Sequence, residues 1–279
     1  MAQDKYSAVW VSHSSSGDFL KCPRAYYLHN VYKDPKTKRK INLVAPALSL
    51  GSAVHATLEA LKEMPVEERL RRDLLLDFER EWAKVSGKQG GFKDVESEEE
   101  AKARGKAMVA RVVVNKGPIA RKTVRLKQNE MIPNFLLSEE ENIVLCGLVD
   151  WIEYVEADDT VRIIDFKTGK HEEADDSLQL PIYLFLLTEL QKRRVSGASY
   201  WYLEKDDAPK DMPLPDIEEA REKVLAVARR MKAARESNAF ACPRGEGGCF
   251  ACRPYEDILA GKAEHVGLDE YGKKDNYLL

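Results

Sequence analysis

Two hydrophobic periods run through the chain, and the points where one gives way to the other mark its elements. Residues 146–155 (CGLVDWIEYV) and 160–167 (TVRIIDFK) alternate apolar and polar positions around a polar turn at 156–159, the pattern of a β-hairpin. Period two puts Cys146, Leu148 and Asp150 on one face of the first strand, and Ile163, Asp165 and Lys167 on one face of the second. Strands are also predicted at 123–130, 134–137 and 198–203, the last rich in aromatics. Elsewhere the period is helical. Turn and cap residues at 14–18 lead into a helix at 19–28. A helix at 51–61 is capped by Ser52, with Val54, Leu58 and Leu61 inward. One at 65–85 turns Leu70, Leu74, Phe78 and Trp82 inward, and one at 96–116 buries Met108 and Val112. A helix capped by Ser177 follows the hairpin, with Pro181 in its first turn. A long amphipathic helix starts at 215–216, with Ile217, Ala220, Val224, Val227 and Met231 inward.

At 279 residues the chain is long enough for a sizeable core, as one large domain or one domain with an appended part. It divides into an N-terminal segment (1–50), a helical part (51–122), a core (123–204) and a C-terminal helix with a Cys-rich lobe (205–279). The formal net charge of −3 gives no global basic field. Local basic clusters lie at 33–40 (KDPKTKRK), at Lys116, Arg121, Lys122, Arg125 and Lys127, and at Arg193 and Arg194. They suit phosphate contacts or simply solvated loops. No apolar run is long enough to span a membrane and no signal peptide is evident, so a soluble cytoplasmic protein without a membrane partner is expected. In such a reducing compartment five cysteines point to metal or cluster ligation rather than disulfides. There is no phosphate-binding G-x-x-x-x-G-K-[ST] loop, and hence no motor.

Asp150, Asp165 and Lys167 gather two carboxylates and an ammonium at one end of an otherwise apolar hairpin, where a metal, a partner or a phosphate must offset desolvation. Gln179 and Tyr183 follow, four residues apart on one helical face. The ordered set Gly147-Leu148-Val149-Asp150, Asp165-Phe166-Lys167 and Gln179-x-x-x-Tyr183 resembles the PD-(D/E)XK nuclease superfamily, and within it the RecB-type exonuclease branch. Gly51-x-x-x-His55, followed by Leu58 and Glu59, is similar to the first motif of that branch. The resemblance implies an α/β fold: a mixed central sheet flanked by helices, a restriction-endonuclease-like core with a helical insert. It also implies a deoxyribonuclease that hydrolyses phosphodiester bonds, acting on single-stranded DNA or DNA ends in repair, recombination or CRISPR spacer processing. Asp150, Asp165, His55 and the Phe166 carbonyl would then hold Mg²⁺ or Mn²⁺. Lys167 would orient the attacking water or neutralise developing charge, and Glu130 would add a carboxylate on the preceding strand. Gln179 and Tyr183 would position the DNA strand, Tyr183 by stacking on a base. Glu59 would orient His55 or complete a salt bridge.

Cys242, Cys249 and Cys252 lie within eleven residues near the C-terminus, a spacing that suits soft metals. Together with the Cys22-Pro23-Arg24-x-Tyr26-Tyr27-Leu28 string they resemble the four-cysteine RecB-type nucleases, among them CRISPR-associated ones and the AddB nuclease domain. In those, an N-terminal and three C-terminal cysteines hold a [4Fe–4S] cluster, which implies a cysteine-stapled lobe joining the two ends of this chain. The spacing departs from the family at Ile258, where a third C-terminal cysteine commonly falls, so Cys242 must substitute. Iron–sulfur, Zn²⁺ or an empty site all remain open, and Cys146 reads as a core thiol. Partners expected are DNA and a helicase or CRISPR integrase subunit. The alternative function is a DNA-end binding or processing subunit with little cleavage of its own.

Overall fold

The structure, a computed structural model, describes residues 8–126 and 132–279. Strands β5 (Trp151–Val155) and β6 (Thr160–Lys167) form the expected antiparallel hairpin, with Val155 opposite Thr160. Asp159 closes the turn with φ of +52°, a conformation Asp tolerates better than most residues. The first arm is shorter than its pattern suggested. The backbone breaks at 147–150, and β4 (Ile143–Cys146) belongs to a different sheet. Cys146 and Asp150 therefore do not share a strand, and Asp150 sits at the mouth of the break. Gly147 permits the bend against the helix that carries Leu186: a Cβ there would meet Leu186 at 3.0 Å.

β6 is buried on both faces and is flanked by β5 and by β7 (Val195–Tyr202), which it pairs in parallel. A parallel pair needs a crossover, and helix α7 (Gln179–Leu190) supplies it. β8 (Lys210–Met212) completes this four-stranded sheet. Period two divides the hairpin between two cores. Val161 and Ile163 of β6, with Ala198, Tyr200 and Tyr202 of β7, face α7 and the long helix α8 (Ile217–Glu236). Ile164, Phe166, Trp151 and Trp201 face the opposite way, toward α3 (Pro46–Glu59), α5 (Leu74–Ala83) and α6 (Val95–Asn115). Asp165 and Lys167 follow the parity of Ile163 and so point to the α7 side.

A second sheet has the order β1 (Val9–Val11), β4, β3 (Asn134–Ser138) and packs into the first core. The third was not foreseen: β2 (Lys40–Leu43) pairs in parallel with β10 (Lys274–Leu278), which pairs with β9 (Glu264–Leu268). Of the strand expected at 123–130, the described part, 123–126, forms a single bridge from Thr123 to Glu153, and residues 127–131, including Glu130, lie outside the described residues.

Several helices differ from their patterns for local reasons. α3 begins at Pro46, whose missing N–H costs nothing at that position, and Ser52 lies inside it. The helix expected at 65–85 is two, α4 (Val66–Arg69) and α5. Asp73 caps the second through the Leu76 amide, and Leu70 is 40 % exposed. At the N-terminus Ser12, not the 14–18 stretch, caps α1 (His13–Lys21), which ends where Cys22 turns extended before Pro23 starts α2 (Pro23–Tyr26). Ile217 of α8 is exposed, whereas its other expected core positions are buried. Among the described residues no helix is long and apolar enough to cross a membrane.

Candidate active site and thiol cluster

The end of β6 presents Asp165 and Lys167 to the start of α7. Lys167 Nζ lies 3.0 Å from Asp165 Oδ2 and 2.9 Å from Glu173 Oε2, and it also donates to Gln179 Oε1. Gln179 Nε2 donates back to Asp165 Oδ1 at 2.9 Å and to the Tyr183 hydroxyl at 3.1 Å. The ammonium also sits 4.6 Å from the centre of the Tyr200 ring. Gln179 thus bridges the acid and the lysine and fixes their relative orientation. Gln179 and Tyr183 are each 6 % exposed. The Tyr183 ring, expected to stack on a base, is packed in the first core beneath Gln179.

Asp150 lies one step away across the strand break. Its Oδ2 accepts the Phe166 backbone amide at 2.9 Å and stands 3.3 Å from His55 Nδ1 on α3. One helical turn on, Glu59 joins them: ligand atoms of His55, Glu59 and Asp150 all lie within 4.8 Å of one another. An imidazole and two carboxylates at that separation fit a divalent cation. Asp165 stands outside this trio, with both oxygens taken by Lys167 and Gln179.

The electrostatics are those of crowded anions. Burial, then the neighbouring Asp150 charge, pushes the Asp165 carboxyl up to about 7. Burial also raises Asp150, but the His55 ring and then the Phe166 amide outweigh it and hold that carboxyl below its usual range. The two therefore share the burden unequally: Asp165 is the carboxyl pushed up and Asp150 the one held down. Burial raises Glu59, with Lys62 opposing. His55 is lowered by burial, yet Asp150, Asp165 and Glu59 carry it above its ordinary value. A cation beside these groups would relieve the repulsion.

Two side chains escaped the sequence reading. Glu173, in the loop between β6 and α7, accepts from Lys167 and from Ser177 Oγ at 2.6 Å, and its amide donates to the Tyr202 hydroxyl. His13, the first residue of α1, feels the charges of both Glu173 and Lys167, and burial lowers its pKa. No periodicity marks a loop residue. The one available signal was the acid-rich run 172–176 so soon after Lys167.

Among the basic clusters, Arg121, Lys122, Arg125, Arg193 and Arg194 pair with Glu153, Glu156, Glu63, Asp159 and Asp158, and Arg39 pairs with Asp275. Lys33, Lys36, Lys38, Lys40 and Lys116 are left without an ion pair among the described residues.

The opposite end of α1 carries Cys22, which joins Cys242, Cys249 and Cys252 with all four sulfurs within 4.8 Å of one another. The Cys249 and Cys252 sulfurs are 3.8 Å apart. Gly248 makes this possible: its φ is +66°, and a Cβ there would meet the Cys252 sulfur at 3.2 Å. Ile258 packs with Leu28 and Ile41 instead. Burial pushes the Cys22 thiol up to about 12. Cys249 is also raised by burial, but the Cys252 and Ala251 amides bring it down to about 6. Four thiols with one ready to ionise form a donor set that a soft cation completes. Cys146 lies elsewhere, at the end of β4, and burial raises it to about 11.

A sequence model of the PD-(D/E)XK nuclease superfamily matches residues 11–256. The chain belongs to that superfamily. The match covers the strand break, the hairpin, α7 and all four clustered cysteines, and it stops before the β9–β10 hairpin. No curated protein sequence matches the chain. Membership accounts for the α/β fold and for a nuclease site that depends on a divalent metal.

Proposed function

We propose that this protein is a metal-dependent deoxyribonuclease that acts as an exonuclease on single-stranded DNA or DNA ends. The observation that carries this reading is the direct bonding of Asp165, Lys167 and Gln179 beside the His55–Glu59–Asp150 trio. The trio, with Asp165 alongside, would hold Mg²⁺ or Mn²⁺, the nitrogen ligand favouring Mn²⁺. Such an ion polarises the scissile phosphate and acidifies a water. Lys167 stays charged, because Asp165 and Glu173 outweigh burial. Its three N–H groups face Asp165, Glu173 and Gln179, so it would exchange one of these acceptors for the attacking water or the developing negative charge. Gln179 keeps that ammonium aligned with Asp165. The four cysteines would hold a [4Fe–4S] cluster or Zn²⁺ that fixes Cys22, and with it the α1 helix whose first residue reaches the site.

The test is to incubate purified protein with end-labelled single-stranded DNA and Mn²⁺ or Mg²⁺, with and without chelator. Metal-dependent shortening from an end is expected for the wild type. Lys167→Ala should abolish it while leaving DNA affinity within a few-fold, because its contribution belongs to the transition state. Wild-type turnover by Lys167→Ala would sink the assignment.

A second reading has its own support. Arg121, Lys122, Arg125, Arg193 and Arg194 are neutralised within the chain, which leaves fewer cations for phosphates. That favours work inside a larger assembly with a helicase or CRISPR integrase subunit that supplies the DNA grip. Strong cleavage by the isolated protein would decide for the first reading.

A further inference from the structure

A cavity of about 610 Å³ opens beside His55 and Glu59, and Lys167 is not part of its lining. Leu48, Ser52, His55 and Glu59 recur at helical spacing and give it one wall from a single face of α3. The opposite wall is the β2–β10–β9 sheet, whose terminal hairpin lies beyond the family match. The loop around Gln89 closes the cavity. Gly91 there has φ of +86° and packs so tightly on Ala45 that a Cβ would meet its backbone at 2.7 Å.

Resting on the nuclease reading, we infer that this cavity binds a nucleobase of the DNA strand adjoining the cleaved bond. The volume admits a nucleobase with its sugar. Away from the proposed metal ligands His55 and Glu59, the charge disfavours a phosphate: Glu81, Asp269 and Glu270 line the cavity, and Lys84 is paired with Glu81 at 2.7 Å. The polar groups suit a base edge. Asn42 and Asn276 stand opposite each other in the β2–β10 ladder, and Asn42 Nδ2 donates to Asn276 Oδ1 at 2.9 Å. That leaves Asn42 Oδ1 and Asn276 Nδ2 without a partner among the described residues. An adjacent acceptor and donor match the paired acceptor and donor atoms of a nucleobase edge. Reversing both amides leaves the same complement. Leu48, 62 % exposed, offers an apolar surface for the ring face. The C-terminal hairpin is then a strand guide added to the nuclease core.

The experiment measures binding of short end-labelled single-stranded DNA by fluorescence anisotropy, using Lys167→Ala protein so that no turnover intervenes. A single abasic tetrahydrofuran unit is scanned along the oligonucleotide. One position is expected where its introduction weakens binding about three- to tenfold, the range of one or two neutral hydrogen bonds. Asn276→Asp, added to that protein, still accepts from Asn42 but loses the donor. It should weaken binding to intact DNA and add little at that one abasic position. Leu48→Ala, on an exposed side chain with no fold to lose, should show the same non-additivity. Effects that multiply at every position, no sensitive position, or no DNA binding at all would overturn the pocket. Loss of cleavage by the wild type with a preserved abasic signature would instead overturn the nuclease reading and leave the pocket standing.

Discussion

Asp165→Asn should stabilise the metal-free protein above neutral pH. The folded carboxyl ionises at about 7 against an ordinary value of 3.8. Between these values the folded state holds a proton that the unfolded state has released. The slope of unfolding free energy with pH is then negative, so stability falls as pH rises through this window and levels off above it. A displacement of this size corresponds to ~4 kcal/mol at full ionisation. Asn keeps the acceptor for Gln179 Nε2 but loses the ion pair to Lys167, so a net gain of about 2 kcal/mol is the working figure. His55 and Glu59, both raised, tilt the wild-type profile the same way, and Cys249, lowered to about 6, tilts it back. The difference between variant and wild type isolates Asp165. The assay is thermal melting in chelator from pH 5 to pH 8. The variant should match or fall below the wild type at pH 5 and melt roughly 4–8 °C higher at pH 8. Adding Mn²⁺ at pH 8 should raise the wild-type midpoint more than the variant's. Parallel profiles would refute the claim that Asp165 bears the unrelieved charge.

Glu173→Gln should lower kcat about tenfold with KM nearly unchanged, since Glu173 holds Lys167 without reaching substrate; an unchanged kcat in steady-state kinetics would refute that. DNA affinity should fall only gently with salt, with a log–log slope of about −3.5 if the five unpaired lysines each meet one phosphate; a slope steeper than about −6 would mean that the internal ion pairs open on binding. Cys22→Ala, Cys242→Ala, Cys249→Ala and Cys252→Ala should each lose bound iron or zinc by elemental analysis and fall in stability by on the order of 4 kcal/mol, because the site closes nearly the whole chain into one loop. Cys146→Ala should keep the metal and lose about 1–2 kcal/mol of core packing.

The residues of the site were legible because chemistry and spacing are written locally. The hairpin, the Asp165-x-Lys167 parity, the Gln179–Tyr183 face and the Cys249–Cys252 spacing follow from periods of two and 3.6, and from which groups bear charge. The sequence also carried the family through the order of those motifs. What it did not carry was contact between distant segments. Nothing in the alternation of residues 146–155 says that the strand breaks at Gly147, because that bend is set by α7 packing against it. Glu173 became a partner of Lys167 only when the loop folded back over Tyr202. Glu59 moved from a residue that orients His55 to one within ligand reach of both His55 and Asp150. The basic clusters looked available for DNA because local sequence gives charge but not the remote acid that neutralises it. The Asn42–Asn276 pair joins residues 234 apart through a parallel ladder, a pairing that no local period encodes. Sequence determined which groups could act; the tertiary structure decided which of them meet, since burial and long-range pairing depend on the whole chain at once.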